Sequence, residues 1–175
     1  MKQNTGFTLL EVIVVVVLIG FLIFFSVPAL NTFYSQSNEK KAATDVLRAL
    51  RMARSISASQ NHEFRVAFDL DSQIFWLEHG NRAEKSSVWM KVQDFGEFPV
   101  GIQMKTGASC NKDAASHGDG TVAADNKIQF NPNGTCGSGG SASSRYICVV
   151  RDGAVRFRCG VPYSVLGKVI IDNGQ

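Results

Sequence analysis

From residue 12 to residue 38 the chain carries no Asp, Glu, Lys or Arg, and a single carboxylate, Glu11, stands at the head of that run. Few environments accept such a segment. A helix in water keeps polar residues on at least one face, so a run that is apolar all round has to be covered by lipid or by protein. As a helix, residues 7–30 would rise about 36 Å, enough to cross a hydrocarbon core of ~30 Å. The remaining chain is different: it holds nearly all of the charges of a sequence that is 19% charged and 45% apolar, the composition of an ordinary folded protein. Its net charge of +3, from 18 Lys and Arg against 15 Asp and Glu, is too balanced for a surface aimed as a whole at nucleic acid. Any basic site has to be local.

Glu11 needs a partner. A carboxylate at that depth costs about 2.5–3.5 kcal/mol even on lenient insertion scales, and no Lys or Arg follows it before Lys40. A chain break between Gly6 and Phe7 would create an amine one helical turn ahead of Glu11, able to pair with it or with the same carboxylate of a neighbouring copy. An ordinary secretory signal fits less well: Val27 and Ala29 imitate a cleavage site around Pro28, but cutting there discards the segment that explains Glu11. Pro28 itself has no N–H, so it leaves the carbonyl of Phe24 without its helical donor and bends or loosens the helix. A plain single-span anchor would account for the apolar run and leave both Glu11 and the short leader unexplained.

The stretch GFTLLEVIVVVVLIG, from Gly6 to Gly20, resembles the class III signal of type IV prepilins and pseudopilins. The resemblance implies that a prepilin peptidase cuts after Gly6 and methylates Phe7, and that Glu11 neutralises the N-terminus of an adjacent subunit during filament assembly. Pro28 fits the same pattern. The implied location is the bacterial inner membrane, single-pass with the head in the periplasm, and later a pilus or type II secretion pseudopilus. The implied partners are other pilin or pseudopilin subunits, the peptidase and the membrane.

Past residue 30 the helical period persists while polarity returns. Ala43, Val46, Leu47, Leu50, Ala53 and Ile56 repeat at three and four, and Lys40, Lys41, Asp45, Arg48, Arg51 and Arg54 take other faces, so the segment reads as an amphipathic stem whose cations form a solvated ladder. From Glu63 the period becomes two, with strands expected at 63–69, 73–79, 87–93, 100–105, 126–131, 145–151, 154–159 and 165–171. Asp69 to Ser72 supplies a hairpin turn, and Trp76 and Trp89 read as core residues. The expected class is therefore α+β, a long N-terminal helix packed on an antiparallel sheet, as in pilins. Its parts are a leader at 1–6, a membrane and filament-core helix at 7–30, a stem at 31–60 and a β-rich head at 61–175.

Cys110, Cys136, Cys148 and Cys159 all lie in the head without zinc-type spacing, which points to disulfides in an oxidising compartment. Four cysteines allow three pairings. Hairpin register favours Cys148 with Cys159 and hence Cys110 with Cys136: a two-residue turn at Asp152 and Gly153 puts Val149 opposite Arg156 and Ile147 opposite Arg158. Both cysteines would then share the apolar face, and Arg145, Arg151, Arg156 and Arg158 the other. Four arginines on one face match phosphate oxygens and make a candidate DNA-binding surface; an exposed strand kept soluble by charge is the plainer reading.

The order of stem, ARSISASQ at Ala53 to Gln60, FRVAFD strand and late hairpin resembles the GspH/FimT-type minor pilins and pseudopilins. That resemblance implies a minor subunit that initiates or caps a filament. Some FimT-like proteins take up DNA through a Gly-Arg-x-Arg motif; the nearest match here is Arg156, Phe157 and Arg158, with Ala154 and Val155 between them and Gly153. No catalytic constellation occurs around His62, His79 or His117, and no cofactor motif. Asp113, Asp119 and Asp125 share one loop at a spacing too common to mark a metal site.

Overall fold

This computed structural model describes residues 8–106, 110, 126–137, 145–162 and 167–173, the side chains of residues 25–33, 35 and 145 aside. Helix α1 (Leu9–Gln60) precedes eight strands: β1 (Phe64–Asp69), β2 (Ile74–Gly80), β3 (Trp89–Glu97), β4 (Gln103–Lys105), β5 (Lys127–Phe130), β6 (Arg145–Arg151), β7 (Ala154–Val161) and β8 (Ile170–Asn173). Each expected strand has a counterpart, with β3 running further and β8 starting later than the periodicity indicated. The chain divides into two compact units, Met1–Ser37 and Asn38–Gln175. Among the described residues no helix is long and apolar enough to cross a membrane; residue 7 and the side chains of residues 25–30 of the expected span lie outside that description.

In the second unit, two antiparallel sheets of order β3-β2-β1-β5 and β4-β6-β7-β8 share one core with α1. The helix offers Ala42, Ala43, Val46, Ala49, Leu50 and Ala53, all buried. Four of these six are alanines, whose small side chains let a helix approach strands closely, and they meet Val66, Phe68, Leu77, Ile128, Ile147 and Val149. The stripe continues to Ser57, whose buried hydroxyl lies 2.7 Å from the carbonyl of His62 and 3.0 Å from that of Phe130. Asn61, at φ 55°, then ends the helix in the left-handed conformation that a C-terminal cap requires.

The β1–β2 turn is an Asx turn. Asp69 Oδ1 accepts from the amides of Asp71 and Ser72 at 3.0 and 3.3 Å, and hydrogen bonds from Ser72 hold its carboxyl below the usual range. Trp76 and Trp89 correct the expectation of core residues. In a strand of period two, the burial of Phe75 and Leu77 turns Trp76 to the outer face. There its indole donates to Glu78 at 2.8 Å, Arg65 pairs with Glu78, and the Arg65 guanidinium lies 3.8 Å over the Trp89 ring.

The β6–β7 hairpin forms on the expected Asp152 and Gly153, both at positive φ (51° and 75°), as a two-residue turn of matching twist demands. Its register departs from expectation. Val150 pairs with Val155 but Val149 pairs with Phe157, so Arg156 is an extra residue on β7 and everything beyond it changes faces. Cys148 now lies opposite Arg158, and Ile147 opposite Cys159. Cys148 and Cys159 therefore occupy opposite faces, which corrects the expected bridge between them. Cys110 bonds instead to Cys148, with Cα atoms 5.6 Å apart; this also corrects the expected Cys110 to Cys136 pairing. Cys136 is buried beside Phe130, and Cys159 sits under α1 with its sulfur 3.4 Å from the Ala43 carbonyl. Burial pushes the Cys159 thiol up to about 12.

Two outcomes are expected. Replacing Cys110 by Ser opens a loop of sequence separation 38, which the chain-entropy relation values at about 4 kcal/mol and which should lower the melting temperature by roughly 10 °C; an unchanged melting temperature would count against the bridge. Iodoacetamide at pH 8 should leave Cys159 unmodified in the native protein and alkylate it after denaturation, as read by peptide mapping; rapid native labelling would contradict its burial.

Candidate functional site

In the first unit, every large apolar side chain from Leu9 to Phe24 is 47–80% exposed. A continuous apolar surface of this extent is a contact surface, because water is a poor neighbour for it and single soluble chains rarely present one. Glu11 is the one charged residue on it. Thr8 caps the helix: its Oγ1 accepts from the amide of Glu11 at 3.3 Å, and its carbonyl accepts from the amide of Val12 at 3.3 Å. The run Thr8-Leu9-Leu10-Glu11 thus has the spacing of a capping box, and Glu11 lies in the first turn, where the helix dipole favours a negative charge. This local role was legible in the sequence as T-x-x-E ahead of an apolar run. It places the carboxylate at the helix start without neutralising it. Gly6 and Phe7 lie outside the described residues; Pro28 lies within α1, with its side chain outside them.

In the second unit, the arginines singled out in the late hairpin do not gather on one open face. Arg151 donates from Nη1 to Glu39 Oε1 at 2.8 Å and approaches Asp152 Oδ2 with Nε at 3.3 Å. Arg156 Nε lies 3.8 Å from the same Glu39 oxygen. Arg158 is buried, on the face that holds Cys148, opposite Asp172 of β8. Arg145 begins β6, its side chain outside the described residues. The bulge at Arg156 is the cause: without it Arg158 would have stood beside Arg156.

Glu39 is the residue that periodicity missed. It is buried, although it is the first charged residue after the apolar run, and it stands three, four and seven positions ahead of Ala42, Ala43 and Val46 on the buried stripe. An acid on an apolar stripe needs a cation from elsewhere, and the hairpin tip supplies one from 112 positions away. A second buried acid, Glu63, is held by backbone amides, accepting from Lys85 N–H at 2.9 Å and Ser86 N–H at 2.7 Å. Gly80 makes room for that loop, since a Cβ there would collide with Ser86. Among the described residues no group of three or more His, Cys, Asp or Glu is arranged to hold a metal; Asp113, Asp119 and Asp125 lie outside them.

Residues 1–27 match the family described as the prokaryotic N-terminal methylation motif. Type II secretion system core protein G of Vibrio cholerae is 49% identical over 47 residues, which are 27% of this chain and 32% of that protein, so the match spans about a third of that relative. Among solved structures, the minor pseudopilin EpsH from the type 2 secretion system of Vibrio cholerae superposes with a TM-score of 0.54 at 14% identity, covering 78% of this chain and 96% of that one. The type IV minor pilin FimU of Pseudomonas aeruginosa does so with a TM-score of 0.50 at 14% identity, covering 77% and 93%. At these identities the likeness is one of fold. The proteins that this chain resembles are pilin-class components, not enzymes.

Replacing Glu39 by Ala should destabilise the protein by about 1–3 kcal/mol, because it strands a half-buried guanidinium. Replacing Arg156 by Ala, whose contact is longer and more exposed, should cost about 1 kcal/mol or less. Thermal melts of the two variants check the order, and equal losses would contradict the assignment of Glu39 to Arg151.

Proposed function

We propose that this chain, which opens on a methylation motif and has a head similar in fold to a minor pseudopilin and a minor pilin, is a minor subunit of a type IV pilus or a type II secretion pseudopilus, assembled through the front of α1 and acting to initiate or cap the filament. Cleavage after Gly6 and methylation of Phe7 precede assembly. Before it, residues 7–30 hold the precursor in the bacterial inner membrane with the head in the periplasm. Afterwards they pack among the same helices of other subunits.

One observation carries this reading: a methylation motif opens directly into a helix whose apolar side chains are exposed all round, from Leu9 to Phe24. Such a surface needs two successive covers, lipid and then protein, and a pilin helix has both. Glu11 gains a cation only in the second state, when the amine that cleavage creates on one subunit meets the carboxylate of the next. The minor role is supported by the likeness in fold to a minor pseudopilin and a minor pilin. A reading in which the filament offers the 145–158 hairpin to DNA has less support, because Glu39 engages Arg151 and Arg156 while Arg158 is buried.

The test is Glu11→Ala. The precursor should still enter the membrane and be cut after Gly6, yet be recovered in sheared filaments at least tenfold less, the ratio that about 1.4 kcal/mol per pairing produces. Normal recovery of the variant would contradict the pairing.

A further inference from the structure

We propose that the head carries a soft-metal site, in which His62, His79 and Met90 hold a cuprous ion where the end of α1 passes into the β3-β2-β1-β5 sheet. Strand register brings two of the three together. Phe64 of β1 stands opposite His79 of β2, and His79 stands opposite Met90 of β3, so these side chains share one face of the sheet. Direct partners in an antiparallel pair have Cβ atoms about 4.5–5.5 Å apart. The pairing is regular at this point, because the nearest irregularity between β2 and β3 falls between Glu78 and Leu77. His62 lies two residues ahead of Phe64 and completes the set, its ring centroid 5.0 Å from that of His79.

The spacing of the rings suits coordination. Two imidazoles bound to one ion, with nitrogen–metal bonds of about 2.0–2.1 Å, place their centroids roughly 5 Å apart at trigonal or tetrahedral angles. Both rings are partly buried, so packing restrains them while solvent still reaches them. Phe64 backs His79, with ring centroids at 4.9 Å. Met90 is 58% exposed, and its flexible, unbranched side chain can swing the sulfur toward the neighbouring imidazole. Ligand chemistry then selects the ion: two imidazoles alone suit zinc, copper or nickel, whereas an added thioether favours the softer Cu(I). With methionine as third ligand, this set is distinct from the groups of three or more His, Cys, Asp or Glu that the described residues lack.

His62 is prepared for this role. Its Nδ1 lies 2.9 Å from the carbonyl of Gln60. A carbonyl only accepts, so Nδ1 carries the proton of the neutral ring and Nε2 keeps its lone pair for a metal. Ligating histidines are commonly oriented by such a bond to backbone. The surrounding chain is pinned as well: the buried Ser57 hydroxyl donates to the His62 carbonyl at 2.7 Å, the Gly80 amide to the Glu63 carbonyl at 2.8 Å, and the Glu63 amide to the Arg82 carbonyl at 3.0 Å. The ion would stand beside the C-terminus of α1, whose last turn holds no basic residue and whose dipole favours a cation. The site lies within the head and is independent of filament membership.

The test uses the full chain in zwitterionic detergent micelles, competing for Cu(I) against bicinchoninate with ascorbate as reductant and oxygen excluded. One saturable equivalent is expected, weakened at least tenfold by His62→Gln, by His79→Gln and by Met90→Leu, and unchanged by Met52→Leu on α1. Met90 is exposed, so its exchange for leucine probes the site without disturbing the core, and that variant should melt as the parent does. With isotope-labelled methionine methyl groups, the Met90 NMR signal should move on addition of Cu(I) while those of Met52 and Met104 stay in place. Absence of saturable uptake, undiminished uptake by Met90→Leu, or a Met90 signal that does not move would overturn the proposal. Uptake that survives all three substitutions would overturn it too, and would assign the metal to the buried thiols of Cys136 and Cys159.

Discussion

Water cannot cover the front of α1. With apolar side chains projecting on every side from Leu9 to Phe24 and one carboxylate near the start, that segment has no polar face to turn outward. In the proposed assembly this surface is buried twice in succession, first by lipid and then by like helices. Lipid accepts the aliphatic side chains and rejects the acid, whereas a bundle of like helices accepts both once each copy carries an N-terminal amine. The Thr8 cap fixes Glu11 in the first helical turn.

The head solves a separate problem, stability without help from the front. It does so with an alanine-rich stripe that brings two sheets onto one helix, and with a carboxylate, Glu39, set at the start of that stripe. Arg151 closes over it from the tip of the β6–β7 hairpin. Apolar packing thus sets the approach of helix and sheet, and one partly buried ion pair fixes the orientation of the hairpin. A disulfide from Cys110 to Cys148 ties a long connection to the far face of the same strand.

Much of this was legible in the residues. The change of period from 3.6 to two at Glu63 gave the helix boundary and the strands, and Asp152-Gly153 gave the hairpin turn, because few other dipeptides accept two positive φ values. The bulge was not legible: Val155, Arg156 and Phe157 alternate as in a regular strand, and only the packing of Phe157, Cys159 and Val161 toward α1 selects the shifted register. From that one inserted residue follow both the altered cysteine pairing and the dispersal of the arginines. Trp76 and Glu39 are different cases, since their positions relative to Phe75 and Leu77, and to Ala42 and Val46, already indicated an outward tryptophan and an inward acid.

The central claim is that the chain works only after the six residues ahead of Phe7 are removed and the new amine joins a helix bundle. Mass spectrometry of the N-terminal peptide, from protein recovered in filaments of the cells that make it, addresses this directly. The account predicts a peptide beginning at Phe7 and bearing a methyl group. A peptide that still begins at Met1, on protein in working filaments, would contradict it.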